Sequence, residues 1–272
     1  MKGRFCLGLV AGLLASGMAF AGELADFMAK LTPPVPGSFP AMPEFRAEYS
    51  FGWSNMIEAA TAGVEVTRKG SDYHVLVEGG SLGFARALWR FDAEHRAWID
   101  AETLRPDHFW EYDEYRNRNI TTNVRFVPGE VWRQRTVDVD GKPGKWKRFN
   151  ADGIFDILGG LMFVRSQPLE NGDTVRLLAY PGDSPFVVRA KVEGRENIVV
   201  MGKSRPAIRM SMELRKIEVK KKELHKLVDY EKFRGGQVWL SDDELRVPLR
   251  AEVDIFIGFV HGEITSFAEL KK

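Results

Sequence analysis

The sequence predicts a mainly β protein: a strongly curved antiparallel sheet, barrel-like or two-layered, with one central helix. Three observations carry that reading. From Phe45 onward, short runs alternate apolar and polar residues with a period of two. Turn residues punctuate the runs every ~8–12 residues, the spacing of sandwiches and barrels. One stretch after Asn150 leaves the alternation for helical spacing.

The chain opens outside that fold. Lys2 and Arg4 precede an apolar run from Cys6 to Phe20, and Ala19-Phe20-Ala21 reads as an A-x-A cleavage site. A secretory signal peptide is therefore expected over residues 1–21, cut after Ala21. It is too short and wrongly flanked for a stable membrane span. Cys6 is the single cysteine and sits at the start of the apolar run rather than at the cut, so no lipid anchor is expected.

Removal of the leader leaves no cysteine, hence no disulfide framework, thiol nucleophile or thiolate metal site. Loss of Lys2 and Arg4 turns the formal net charge from +1 to −1. Signs are interspersed, which gives no footprint for nucleic acid. No other stretch is long and apolar enough to cross a membrane. Export without cysteines suits a bacterial periplasm, because about 250 residues bury a sizeable core unaided.

Residues 22–44 read as an N-terminal arm. Leu24, Phe27, Met28 and Leu31 make a short amphipathic piece, and five prolines follow between Pro33 and Pro43. Proline fixes φ and removes backbone donors, so an extended linker or surface arm is expected. A single β-rich domain is expected over residues 45–270.

Its elements follow in order. Phe45, Ala47, Tyr49 and Phe51 alternate with polar residues, as do Tyr73, Val75 and Val77, then Ile120, Thr122, Val124 and Phe126. β-branched and aromatic residues fit a pleated surface. Lys69-Gly70-Ser71, Val127-Pro128-Gly129 and Asp140-Gly141 read as turns. The helix is expected to be capped by Asn150 or Asp152, with Ile154, Ile157, Leu158, Leu161 and Met162 as its apolar stripe. Gly159-Gly160 would let its backbone approach the sheet closely, at ~1 kcal/mol per glycine relative to alanine.

After Asn171-Gly172 strands resume at Val175–Tyr180, Val188–Val192 and Ile208–Arg215. The apolar phase then flips to Ile217 and Val219, which suggests a β-bulge or a strand changing faces. Lys220–Lys226 reads as a loop or hairpin tip, and Gly235-Gly236 as a turn. Three strands are expected between Val238 and Phe267, with an acidic turn at Ser241–Glu244 and alternation through Leu249, Ala251, Val253, Ile255 and Ile257.

These last residues carry a resemblance. Trp239, Ser241 and Asp243, then Arg246-Val247-Pro248 and a strand ending in Ile257-Gly258, are similar to the C-terminal hallmark of the domain of unknown function (DUF) 3108 family. Residues 153–177, a helix followed by Arg165 and Gly172-Asp173, resemble another of its segments. So do residues 107–120 after Leu104-Arg105-Pro106. The resemblance covers roughly residues 45–268. It implies an exported bacterial envelope protein and supplies no catalytic residues.

Candidate chemistry is sparse. None of His74, His95, His108, His225 and His261 has the spacing of a metal pair, so no metal and no cofactor is expected. Glu111, Asp113 and Glu114 lie among Trp110, Tyr112 and Tyr115, the composition of a sugar cleft; cross-strand pairing with Arg116, Arg118 or Arg125 explains them equally well. Asp242, Asp243 and Glu244 lack the EF-hand ladder, and Arg246 and Arg250 are expected to pair with them. The positive signal is apolar. A sheet curled incompletely around the helix would leave a cavity for a lipid-like ligand. Its wall is expected at Ile154, Ile157, Leu158, Leu161, Met162, Met210 and Met212. The function expected is non-enzymatic: binding an apolar envelope component or assisting envelope assembly, with a lipid-like ligand or an envelope protein as partner. The alternatives are an interaction module without ligand and a carbohydrate-active hydrolase.

Overall fold

The computed structural model describes residues 22–39, 42–53, 57–138, 142–230, 233–254 and 259–270. The signal-peptide reading, the Asp140-Gly141 turn and the alternation at Ile255 and Ile257 lie outside the described residues. A short helix, α1, covers residues 22–28. The first half of the sheet is β1 (Phe45–Trp53), β2 (Ile57–Lys69), β3 (Asp72–Ser81), β4 (Phe91–Asp100), β5 (Pro106–Tyr115), β6 (Arg118–Val127), β7 (Glu130–Val137) and β8 (Trp146–Asn150). A one-and-a-half-turn helix, α2 (Gly83–Leu88), interrupts the meander between β3 and β4.

The second half begins with β9 (Ile154–Phe155) and the central helix α3 (Ile157–Ser166). Then come β10 (Thr174–Ala179), β11 (Phe186–Val200), β12 (Lys203–Lys220), β13 (Glu223–Val228), β14 (Gly235–Ser241), β15 (Pro248–Asp254) and β16 (Phe259–Glu269). One 16-stranded sheet results. Its path runs β8 to β1, then β16, β15, β14, β12, β11, β10 and β9, with β13 paired to β12 off the path.

That order dictates curvature. Laid flat at ~4.8 Å per strand, the path from β8 to β9 would be roughly 65 Å wide. Yet β8 and β9 are joined by residues 151–153, which reach at most about 14 Å. The sheet must therefore roll up. Asn150 N–H donates to the Lys222 carbonyl at 2.7 Å, so the β8 end meets the β12–β13 hairpin without a continuous ladder. The sheet is curled but not closed.

Helix α3 lies inside the roll. Its predicted caps, Asn150 and Asp152, are not used. Ile154 and Phe155 pair in parallel with Leu178 and Ala179 instead, which moves the helix start past Asp156. The Asp156 Oδ1 accepts the Leu158 and Gly159 N–H groups at 2.8 and 3.0 Å. The helix packs two ways. Leu158 and Met162 join a core with Val66, Val75, Ile99 and Phe109, while Phe163 and Val164 join a second core with Leu177, Val188, Ile208 and Met210. A Cβ on Gly160 would lie 3.1 Å from Leu177 Cδ1, so this glycine permits the close approach to β10. Asp156→Ala should cost about 1–2 kcal/mol, read as a lower urea midpoint, whereas Asp156→Asn keeps the accepting oxygen and should retain most of that stability.

The apolar phase flip has a different origin from a bulge between Leu214 and Ile217. Pairing of β12 with β11 continues unbroken from Met210 through Lys216; the shifts lie at Val192/Gly194 on β11 and at Glu218/Val219 where β13 pairs. An 18-residue strand outruns one layer. Ile208 and Met210 bury one face in the core shared with Phe163, and Ile217 buries the opposite face in the other.

The acidic turn grips the helix end. Ser241 Oγ donates to Asp243 Oδ1 at 2.7 Å, and Asp243 Oδ1 accepts the Leu245 and Arg246 N–H groups at 3.0 Å each. This turn presents its carbonyls to Arg165, which is 1% exposed: Nε donates to Leu245 O at 2.9 Å. Burial lowers the Arg165 pKa to about 10. Arg246 does not pair with the turn acids. Its guanidinium donates to the carbonyls of Arg165, Gln167 and Pro168 at the end of α3. Arg250 pairs with Glu263, and Asp242 with Arg195.

The Pro-rich segment is fastened to this end. Phe39 N–H donates to Ser166 O at 3.1 Å, Gly37 N–H to Ser166 Oγ at 3.1 Å, and the Phe39 ring lies 3.8 Å under the Arg246 guanidinium. Upstream, Thr32 exchanges hydrogen bonds with the Arg176 backbone, extending the β10 edge beyond two-residue β9, and Glu23 pairs with Arg215. The arm is therefore tied down, with Leu24 buried in the first core and Met42 at the cavity wall.

Candidate functional site

Beside α3 the roll encloses an apolar cavity of about 260 Å³. The helix supplies Leu158, Leu161 and Met162. The facing sheet supplies Phe45, Tyr49 and Phe51 from β1, Ala62, Val64 and Val66 from β2, and Val75 and Val77 from β3, with Ala251 and Gly262 completing the wall. These strand positions share a face because they are two apart. Gly262 makes room for an aromatic: a Cβ there would lie 2.7 Å from Phe51 Cε1. Two guanidiniums, Arg165 and Arg250, border the cavity, each already bonded to the protein. Burial raises the neighbouring Tyr49 hydroxyl far above its ordinary pKa while it donates to Pro248 O at 3.0 Å. The wall therefore offers surface rather than free charge.

The expected wall residues divide. Leu158, Leu161 and Met162 line this cavity. Ile154 sits on β9 and lines a separate polar cleft with Arg105, Pro106 and Asp152. Ile157 points outward at 53% exposure. Met210 and Met212 lie away from the cavity, in and against the second core. The periodicity of a strand shows that one face is buried but not which of two cores receives it. Of the β1–β3 wall, Phe45, Tyr49, Phe51, Val75 and Val77 were legible only as alternation, and Ala62, Val64 and Val66 on β2 were not read at all.

A second constellation lies further along the inner face. His95 on β4 is the backbone partner of Glu111 on β5, and Asp113 follows two residues later on the same side. One ligand-type atom from each falls within 4.8 Å of the others. His95 Nε2 and Asp113 Oδ1 are 3.3 Å apart, and the Glu111 carboxyl is hydrogen-bonded to Asp113. Burial, then the Asp113 charge, pushes Glu111 up to about 7. The three groups thus satisfy one another. Sequence spacing hid this cluster, because His95 and Glu111 meet only through antiparallel pairing of β4 and β5. The expected arginine partners are not used by these two acids; Glu114 pairs with Arg90.

This pair makes stability pH-dependent. The Glu111 pKa is raised from 4.5 to about 7 on folding, so the native state holds a proton that the unfolded chain releases. Its contribution is unpenalised below pH 4.5 and becomes increasingly destabilising as pH rises to about 7. Glu111→Gln should therefore gain stability relative to wild type at pH 8 and not at pH 4, measured by paired urea titrations at the two pH values.

Together these features define a β-barrel-like protein whose unclosed sheet wraps one helix and leaves an apolar hollow beside it. The chain belongs to the DUF3108 family, described as protein of unknown function, whose sequence profile matches residues 44–265. No curated protein matches the sequence. The fold is similar to that of a β-barrel-like protein of domain of unknown function DUF1849 from Brucella abortus. That likeness has a TM-score of 0.58 and 9% identity, and covers 85% of this chain and 99% of that one. Two weaker likenesses carry no argument. One is to a protein from Bacteroides fragilis provisionally described as exported, with a YmcC-like fold (TM-score 0.31, 5% identity, 86% and 99% covered). The other is to a provisionally described lipoprotein from Parabacteroides distasonis (TM-score 0.34, 7% identity, 86% and 99% covered). Among the described residues no helix is long and apolar enough to cross a membrane.

Proposed function

We propose that this protein is a non-enzymatic periplasmic binder of a lipid-like envelope component, taking one aliphatic chain into the cavity beside α3. The carrying observation is the cavity itself, walled by aliphatic and aromatic side chains and bordered by guanidiniums that are already engaged. Its volume of about 260 Å³ lies just under the roughly 300–1,000 Å³ of drug-sized ligand sites, which suits one chain of a lipid rather than two. Half-exposed Leu161 and exposed Ile157 extend an apolar path from the cavity along the helix. Export rests on the reading of residues 1–21.

The hydrolase alternative is disfavoured by the acids. Glycosidase carboxyls stand about 5 Å or more apart to flank a sugar, whereas Glu111 and Asp113 share a hydrogen bond. Native mass spectrometry of protein purified from the periplasm, before and after organic extraction, tests the binding reading. A bound mass that extraction removes is expected. A clean apo mass that takes up neither added fatty acid nor phospholipid would overturn it.

A further inference from the structure

The sheet meander breaks its own pattern at one place, and that place is apolar on the outside. Between β3 and β4 the chain inserts α2 where a tight turn would serve. None of its residues is buried. Phe84 is 66% exposed, Leu88 69% and the adjoining Trp89 58%, with Leu82 beside them. Large apolar side chains clustered this densely outside a fold are a surface awaiting a partner. Trp89 stacks on Phe91 with ring centroids 5.1 Å apart and still leaves most of its surface exposed, while Phe84 and Leu88 stand out further.

The surroundings are cationic. Arg90, Arg116 and Arg118 share a surface depression with Leu88, Trp89 and Tyr115. The nearby acids are already taken: Asp92 by Arg86, and Glu114 by Arg90. Arg116 donates to the Ala87 carbonyl and Arg118 lies over the Tyr115 ring, and among the described residues no carboxylate forms an ion pair with either. On a chain whose formal net charge is only +1, this is a local excess of positive charge. The Arg116 bond also ties the β5–β6 turn to the end of α2.

Its position is equally specific. Trp53/Ile57, Ser81, Phe91 and Tyr115/Arg118 all terminate strands at the same end of the sheet, because the first six strands pair antiparallel in unbroken order. Phe51 and Ala62, the cavity wall furthest along β1 and β2, lie next to that end: Ala60 pairs with both Phe51 and Ser81.

We infer that α2 and the β5–β6 turn form a docking surface for an anionic lipid bilayer. Phe84, Leu88 and Trp89 enter the headgroup–acyl boundary, and Arg116 and Arg118 face the phosphates. Apolar residues provide the burial and arginines the attraction to anionic headgroups, the two contributions on which interfacial binding depends. A protein partner would be expected to present carboxylates to the arginines and a matching groove; a bilayer supplies both chemistries without shape. The inference does not need the cavity to hold a ligand.

The test is flotation of the purified protein with phosphatidylcholine vesicles, with and without phosphatidylglycerol. Flotation with the anionic vesicles, weakened by salt, is expected. The combined Phe84→Ser, Leu88→Ser and Trp89→Ser variant should keep the wild-type thermal melt, since no buried residue changes, and should lose flotation. Arg116→Gln and Arg118→Gln should each lower binding about fivefold on anionic vesicles only. Failure of wild type to float, or equal flotation of the serine variant, would overturn the inference. So would crosslinking from position 84 that captures a protein while vesicles are left unbound. A loss of flotation with native mass spectra still showing bound lipid would separate this surface from the cavity.

Discussion

Replacing Arg246 by alanine should destabilise the fold by about 4 kcal/mol. The guanidinium is nearly buried and answers the carbonyls of Arg165, Gln167 and Pro168. Those carbonyls end α3 and have no helical partner of their own. Charged donors contribute roughly 1.5–3 kcal/mol per bond, and unpaired buried acceptors cost extra. Arg246→Lys should recover less than half, since one ammonium cannot reproduce the planar fork. Two readouts separate this from generic damage. The urea midpoint should fall, and limited proteolysis should cut the strap around Phe39 faster in native buffer, because Phe39 loses the cation over its ring. A loss under 1 kcal/mol, or an unchanged strap, would show that the grip on α3 lies elsewhere.

Ala62→Trp should lower occupancy of a bound apolar chain by at least about tenfold while leaving the fold intact. Ala62 faces the cavity across from Leu158 and Leu161, so an indole there occupies the volume a ligand would use. Filling an existing void avoids the overpacking strain of about 1–3 kcal/mol expected in a tight core. Native mass spectrometry of wild type and variant, each saturated with the same fatty acid, reads the difference. Equal occupancy would place the ligand outside this cavity, and loss of both ligand and folded baseline would be answered with Ala251→Phe, which approaches from β15.

How much could be read without coordinates differs by element. The strands at Phe45, Tyr73, Ile120, Val175, Val188 and Ile208 all occur, because alternation registers a buried face directly. Of Lys220–Lys226, read as a loop or tip, only Lys221 and Lys222 form the turn, both at positive φ as a two-residue hairpin requires; Glu223–Lys226 belong to β13, and Gly235-Gly236, read as a turn, open β14, because strand pairing to β12 claims both segments. Helix α3 was legible from its apolar spacing, but its start was not, since pairing of Ile154 and Phe155 with β10 overrides the local capping preference. Helix α2 gave little signal: with no buried residue it has no face for periodicity to record. Of the cavity wall, α3 contributed three predicted residues, and Met210 was placed elsewhere by the second core.

The sequence by itself determined the class: a mainly β chain with a strongly curved sheet and one central helix, an acidic C-terminal turn at Ser241–Glu244, and membership in a family recognised through Trp239, Arg246 and Pro248. These are local properties, written in periods of two and 3.6 and in turn chemistry. Tertiary structure alone decided that the curved sheet stops short of closing, that Arg246 grips a helix rather than an acid, that His95 meets Glu111, and that the hollow opens between α3 and β1–β3. Each of these depends on which strands become neighbours. A period states that a side chain is buried, and only the order of strands states against what.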